Sequence, residues 1–312
     1  MSERLNLAFC GTPAFAVPTL EKLVEGGMDV SLVVTQPDKP RGRGLELSFS
    51  PVKQRALEFH LPMVQPERIR NNTEFQAQLQ ALRLDAIVVV GYGKIIPQWM
   101  IDLPPLGNLN LHASLLPKYR GAAPIQWAIA SGEATTGVTT MRINAGLDTG
   151  DILQQREVVI RYDDTAVTLS SRLADLGASL MIETLHSLRA GTVHARAQDD
   201  AAASHAAVLK REDGLIDFTR PATVIYNRLR GFQPWPGAYT HFRQKSLHVW
   251  WAVPSSQAGN PGELSVQDDR LFAACGEQSS LELLEVQLEG KKRVSARDFV
   301  HGYHPRTGEK LG

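Results

Sequence analysis

The chain is poor in cysteine. Two thiols in 312 residues, Cys10 and Cys275, cannot build a disulfide framework, and neither belongs to a CxxC pair of the kind that holds zinc. Both read as small buried hydrophobes. Net charge is missing as well, since 33 basic side chains stand against 33 acidic ones. That balance excludes a nucleic-acid coat protein or a polybasic tail, but leaves room for a local basic groove. Long apolar runs are also absent. Ala86–Val90 is among the longest, and it is far short of the ~18 residues of a membrane span. The first residues, MSERLNLAFCG, hold too short an apolar run for a signal peptide. A soluble, cytoplasmic protein with no membrane partner is expected.

The usual nucleotide fingerprints are lacking too. After the first apolar run the chain reads Cys10-Gly11-Thr12-Pro13-Ala14-Phe15-Ala16, not G-x-G-x-x-G. Pro13 removes a backbone donor where a pyrophosphate needs one. Gly91-x-Gly93 has no third glycine, and there is no Walker A lysine motif. These absences exclude a nicotinamide enzyme.

What is present is a globular composition, 43% apolar and 21% charged. The length suggests two domains. The first half alternates strand-like runs (Leu5–Phe9, Val30–Thr35, Ala86–Val90, Leu109–His112) with helix-spaced ones (Val17–Val24, Pro51–His60, Phe75–Leu82). Two more strands, Val138–Ile143 and Ile152–Ile160, precede a long helix for which Asp163, Asp164 and Thr165 offer an N-cap and which ends near Ala190-Gly191. This rhythm predicts a parallel sheet covered by helices. Thr192–Ala207 shows no firm period and reads as a linker. Beyond it come a helix over Ala222–Gly231 and short strand candidates at Leu247–Val253, Gly262–Val266, Leu271–Cys275 and Leu281–Leu288. The fold class expected is α/β: a Rossmann-like, mostly parallel sheet with a small C-terminal β-barrel of OB-like type. The expected division is 1–191, a linker at 192–207, and 208–312.

Asn110 and His112 stand two apart on one strand candidate, so both face the same side. A strand central to a parallel sheet is expected to be apolar on both faces, and ligands bind at the carboxyl ends of such strands. An amide donates to a developing oxyanion, and an imidazole moves protons near neutral pH. A strand-end Asn-x-His that merely caps a loop has the same spacing. The following loop holds two prolines, Pro117 and Pro124, and a glycine among small apolar residues. It fits a shaped wall for a flat heteroaromatic, or an ordinary crossover. Asp148 lies in a glycine-flanked turn, Asn144 to Asp151, where it is either solvated or the carboxylate that orients His112.

The string Gly107-Asn108-Leu109-Asn110-Leu111-His112-Ala113-Ser114-Leu115-Leu116-Pro117, with Tyr119-Arg120-Gly121-Ala122-Ala123-Pro124-Ile125-Gln126, resembles the formyltransferase family that uses 10-formyltetrahydrofolate. Gly137-Val138-Thr139-Thr140-Met141, running on to Gly146-Leu147-Asp148-Thr149-Gly150-Asp151, is similar to that family's second signature. Further matching segments are Phe9–Pro13, Thr35–Pro40 with Gly42-Arg43-Gly44, and Phe232–Pro236. The resemblance covers nearly the whole chain. It implies a transferase with catalytic Asn110, His112 and Asp148, and a folate-binding loop at Ser114, Leu115, Leu116 and Pro117. The implied formyl donor is 10-formyltetrahydrofolate, with no metal, and the implied acceptor is the α-amine of methionyl-initiator tRNA. A small amine or water is the alternative acceptor. On the same basis the 1–191 segment is expected to be catalytic and 208–312 to bind tRNA. Lys39, Arg41 and Arg43 in the 37–51 segment are the first candidate phosphate contacts, although Leu45-Glu46-Leu47 interrupts the basic run. Lys291, Lys292 and Arg293 are the second, in a segment with 14 basic and 12 acidic residues from 208 to 312. A monomer is expected.

Overall fold

The computed structural model describes residues 4–41 and 46–312. In chain order the first elements are β1 (Asn6–Gly11), α1 (Val17–Glu25), β2 (Asp29–Val34), β3 (Lys39–Arg41), β4 (Glu46–Ser48), α2 (Pro51–Glu58), β5 (Met63–Val64) and α3 (Thr73–Ala81). Then follow β6 (Ala86–Val90), α4 (Gln98–Ile101), β7 (Asn108–His112), β8 (Arg120–Gly121), α5 (Pro124–Ala130), β9 (Thr135–Arg142), β10 (Ile152–Val159), α6 (Ala166–Arg189) and β11 (His205–Ala206). The last are α7 (Ala222–Gly231), β12 (Ala238–Phe242), β13 (Lys245–Ser255), β14 (Leu264–Gln267), β15 (Arg270–Ala274), β16 (Ser280–Leu288), β17 (Val294–Ser295) and α8 (Ala296–Tyr303). The chain forms two compact units. One comprises Met1–Pro124, Thr135–Val159 and Ser170–Ala206, and the other Ile125–Ala134, Ile160–Leu169 and Ala207–Gly312.

The first unit is built on a seven-stranded sheet in the order β10-β9-β7-β6-β1-β2-β5. Its strands run parallel from β7 to β5, while β9 pairs antiparallel with both β7 and β10. The Rossmann-like, mostly parallel sheet is as expected. All five residues of β6 are buried, which is why its sequence is a continuous apolar run. At the sheet's edge, β10 carries Gln154, Gln155, Arg156 and Glu157, polar residues that suit an exposed edge. On one face Leu111 of β7 packs against α6 so closely that a Cβ on Gly177 would come within 2.7 Å of Leu111 Cδ2. Nearby, the hydroxyls of Thr140 (β9) and Thr184 (α6) hydrogen-bond at 2.8 Å. With α6 on the Leu111 face, Asn110 and His112 are left on the other.

The segment expected as a linker, 192–207, is not a bare connector. Arg196 pairs with Ile152 in an antiparallel bridge, and β11 pairs in parallel with β8. Its polar composition hid this, because its bonds are made by backbone groups and by Gln and Ser side chains, not by an apolar stripe. Gln233–Pro234 and Trp235–Pro236 in the second unit and Leu116–Pro117 in the first are cis peptides.

The second unit is a six-stranded antiparallel sheet, β12-β13-β16-β15-β14, with β17 on β16. Two of its hairpins close on pairs of residues with positive φ, Arg243–Gln244 and Asp268–Asp269, the geometry of tight primed turns. One apolar core joins the sheet to α7 and α8 through Tyr226, Leu229, Phe242, Leu247, Leu283 and Phe299. Ser295 caps α8, accepting from the Asp298 amide at 3.0 Å. Sequence periodicity missed β12, because its inward residues are Ala238, Thr240 and Phe242, a weak apolar signal.

No helix among the described residues is long and apolar enough to cross a membrane. Both thiols are buried, and burial pushes Cys10 upward and Cys275 up to about 12, so neither supplies a thiolate near neutral pH.

Substituting Gly177→Val tests the α6 packing. It would overfill the Leu111 contact and is expected to cost roughly 1–3 kcal/mol, read as a lower midpoint in thermal unfolding.

Candidate active site

β7 ends at the carboxyl edge of the parallel strands, beside β6. Its residues are buried on both faces, with Asn110 alone half-buried. Asn108, Asn110 and His112 share a face, with Asn108 buried and its amide donating to the Met100 carbonyl at 2.8 Å. The Asn110 side chain is half-buried and has no hydrogen bond among the described residues. Its amide is therefore free to donate to a ligand.

His112 is only 6% exposed, and both ring nitrogens face oxygen. Nε2 lies 2.9 Å from the carbonyl oxygen of Tyr119. Nδ1 lies 3.7 Å from Asp148 Oδ2, a distance in the range of an ion pair and too long for a hydrogen bond. A carbonyl can only accept, so a neutral ring places its single N–H at Nε2. A protonated ring has a second N–H for Asp148. The structure thus brings His112 and Asp148 together as expected, with Asn110 two residues from His112 on the same face.

Asp148 is placed by the loop between β9 and β10. Asn144 Oδ1 accepts from the Gly146 amide at 3.0 Å and from Thr149 Oγ1 at 2.9 Å, folding the loop on itself. Gly150 lies so close to the Arg142 carbonyl oxygen that a Cβ there would collide with it. Asp148 itself has φ +52°, a left-handed conformation disfavoured for a residue with a Cβ. Its Oδ2 accepts from the Gly121 amide at 2.9 Å. Gly121 needs to be glycine, because its φ is +120° and a Cβ would stand 2.7 Å from the Ala206 carbonyl oxygen.

The Ser114–Pro117 loop is fixed from within. Thr139 Oγ1 donates to the Ser114 carbonyl at 2.6 Å and accepts from the Leu116 amide at 3.2 Å. Gln155 Nε2 donates to the Leu116 carbonyl at 2.9 Å, and Ser114 Oγ to the Lys118 carbonyl at 2.6 Å. The Leu116 side chain is buried with Met141 and Ile152. Both polar backbone groups of Leu116 are thus engaged within the protein, so this residue contributes a rigid shape and not a free donor. Leu115 and Pro117 stay half-buried.

The candidate basic residues lie elsewhere. Arg43 is outside the described residues, as are the side chains of Lys39 and Arg41, whose backbone forms β3 against β4. Lys291, Lys292 and Arg293 are exposed in the second unit, between β16 and β17. Arg293 pairs with Glu285 and lies 5.0 Å from the Trp250 ring, while neither lysine has an ion pair among the described residues.

Sequence reading missed several residues that hold the site: Tyr119, Gly121, Thr139, Gln155 and Gln198. Tyr119 and Gly121 act through their backbone, which carries no side-chain signal. Thr139 and Gln155 lie in strands, and neither side chain was singled out in them. Among the described residues no three His, Cys, Asp or Glu side chains are grouped to hold a metal ion.

Residues 4–185 match the formyl transferase family and residues 208–304 its C-terminal domain. The chain belongs to the formyl transferase family. It is 61% identical to the methionyl-tRNA formyltransferase of Koribacter versatilis, with 98% of each chain covered. It is 59% identical to that of Acidobacterium capsulatum, covering 99% of this chain and 100% of the relative. Among solved structures, an N-formyltransferase from Helicobacter canadensis, crystallised with folinic acid and dTDP-3-aminofucose, superposes with a TM-score of 0.68 at 17% identity. That match covers 89% of this chain and 98% of the other. At that identity the likeness speaks to the formyltransferase fold alone.

Thr139→Val keeps the shape of this family member's strand and removes the hydroxyl that serves two backbone groups. Leaving them unpaired is expected to cost about 1–3 kcal/mol, seen as a lower urea midpoint with an unchanged slope.

Proposed function

We propose that this chain transfers the formyl group of 10-formyltetrahydrofolate to the α-amine of methionyl-initiator tRNA, the step that prepares that tRNA for translation initiation. The observation that carries this reading is His112 held between an acceptor carbonyl and the Asp148 carboxylate, with the unbonded Asn110 amide beside it. The choice of acceptor rests on whole-chain identity to relatives named methionyl-tRNA formyltransferase.

The folate is a substrate that supplies an electrophilic formyl carbon. The fixed Ser114–Pro117 loop is its proposed wall, set next to the end of β7. Attack by the amine forms a carbon–nitrogen bond and puts negative charge on the formyl oxygen. Asn110 donates to that oxygen, which is worth most where the donor is preorganised and not already bonded. His112 takes the proton released from the attacking nitrogen and delivers one to N10 as the C–N10 bond breaks. The products are formylated aminoacyl-tRNA and tetrahydrofolate. Asp148 balances the positive charge on His112 while that proton is held.

Residues 1–191, together with the ordered stretch that follows them, are proposed as the catalytic domain and 208–312 as the tRNA-binding domain. Lys39, Arg41, Arg43, Lys291, Lys292 and Arg293 are proposed phosphate contacts. Lys291 and Lys292, exposed and without ion pairs, are the better placed of the second group. Arg293 is shared with Glu285 and offers less. All three proposed reacting-centre residues come from one chain, so a cytoplasmic monomer suffices. A small amine or water as acceptor would leave the second domain without a task.

His112→Ala and Asn110→Ala are each expected to lower kcat by ~10²–10⁴-fold, with unfolding midpoints and tRNA retention on filters close to the parent's. Near-parental turnover in both variants would remove the proposed roles.

A further inference from the structure

One side chain reaches both sides of the His112–Asp148 pair. Gln198 lies in the stretch after α6, in the same unit as the site. Its Nε2 donates to the Asp148 carbonyl at 2.8 Å and to the Gly150 carbonyl at 2.7 Å. Its Oε1 accepts from Arg120 Nε at 3.0 Å. An amide is the side chain that offers two donors at one corner and an acceptor at the other, and here all three functions are used.

The two ends hold different halves of the site. The Nε2 end grips the turn that presents the Asp148 carboxylate. The Oε1 end grips Arg120, whose neighbours serve the pair directly. The Tyr119 carbonyl accepts from His112 Nε2, and the Gly121 amide donates to Asp148 Oδ2. Arg120 is itself 5% exposed, and its second partner is the exposed carboxylate of Asp200 at 2.8 Å. The same stretch continues along the tripeptide. Ser204 Oγ accepts from the Tyr119 amide at 2.9 Å and the Ser204 carbonyl from the Arg120 amide at 2.8 Å.

The backbone of these residues needs such support. Tyr119, Gly121 and Asp148 all have positive φ, at +60°, +120° and +52°. Conformations of this kind persist at a site when surrounding bonds over-determine them. The Asp148 turn is otherwise open, with Asn144 to Leu147 exposed. Hydrogen bonds within the turn set its internal shape but not its distance from His112. The foot of the turn is tied to β9, where the Arg142 amide donates to the Asp151 carbonyl at 2.9 Å, and Asp148 itself is held by the Gly121–Asp148 bond and the bridge through Gln198.

We propose that Gln198 is a positioning residue that sets the separation and orientation of Asp148 and His112 by tying the Asp148 turn to Arg120. It touches neither substrate, and it rests on the reading of His112 and Asp148 as the reacting centre.

The test uses the full chain with Gln198→Met, which keeps length and loses every hydrogen bond, and Gln198→Glu, which keeps the acceptor for Arg120 but sets oxygen against two carbonyls. Thermal unfolding first identifies which of the two is folded. The direct readout is hydrogen exchange of the Gly121 amide, followed by NMR, which needs no substrate. The proposal expects at least a 10-fold faster exchange at Gly121, with amides of β6 unchanged. It also expects kcat for formyl transfer to fall 10- to 100-fold, with both KM values within about 2-fold of the parent. In an Asp148→Asn background the same Gln198 change is expected to add less than a 3-fold further loss, because the group it positions is already gone. Unchanged Gly121 exchange, or a loss that multiplies in full on Asp148→Asn, would overturn the positioning role. A parent enzyme that forms no formylated product, alongside faster Gly121 exchange in the variants, would instead defeat the functional reading and leave the bridge standing.

Discussion

His112 has little freedom. Its ring is almost wholly buried at the end of β7, with a carbonyl at one nitrogen and a carboxylate near the other. Neither partner is able to swing away without breaking other bonds, because the carbonyl belongs to a tripeptide laced to the 198–206 stretch and the carboxylate to a turn bonded to Gly121. The placement of Asn110 follows from the same strand. It shares the pleat of His112, and α6 covers the opposite face. An imidazole and an amide thus share one face at the carboxyl end of an interior strand, on elements whose packing does not depend on a bound substrate. Preorganisation of this kind is what makes a hydrogen-bond donor effective toward a charge that develops during reaction.

Much of this was legible in the sequence, for particular physical reasons. The continuous run at Ala86–Val90 marked a strand buried on both faces. The alternation at Leu109–His112 placed Asn110 and His112 together, since a strand has a period of two. Glycines around Asp148 announced a sharp turn, although not that Asp148 itself has positive φ. The reversed direction of β9, between β7 and β10, was not legible, because apolar pattern carries no strand polarity. The 196–206 stretch escaped for a related reason. Its hold on the site is made by amide, hydroxyl and backbone groups, which leave no apolar period to detect. In the second unit β12 was missed for its weak inward pattern, and α8 was missed although α2, of the same length, was read.

The two units divide the physical work differently. The first spends polar groups generously inside its fold, with Thr139, Gln155, Gln198 and Arg120 all bonded to backbone or to one another. The second has an apolar core in which Phe242 and Phe299 pack edge to face at 5.2 Å. Arg230 and Asp164 are buried in this unit, while the ion pairs of Arg243, Arg270 and Arg293 are exposed enough to contribute little to stability. Lys291 and Lys292 stay clear of those pairs. A near-neutral chain can therefore still present positive charge locally, as contact with a phosphate backbone requires.

The central claim is that this site formylates an aminoacyl-tRNA and not a small amine or water. The direct measurement follows labelled formyl from 10-formyltetrahydrofolate, with purified protein and charged initiator and elongator methionyl-tRNA assayed side by side. The account predicts label on initiator methionyl-tRNA, little on the elongator, and no release as free formate when tRNA is withheld. Label released without any tRNA product would contradict it, and would assign the same His112 and Asp148 to hydrolysis.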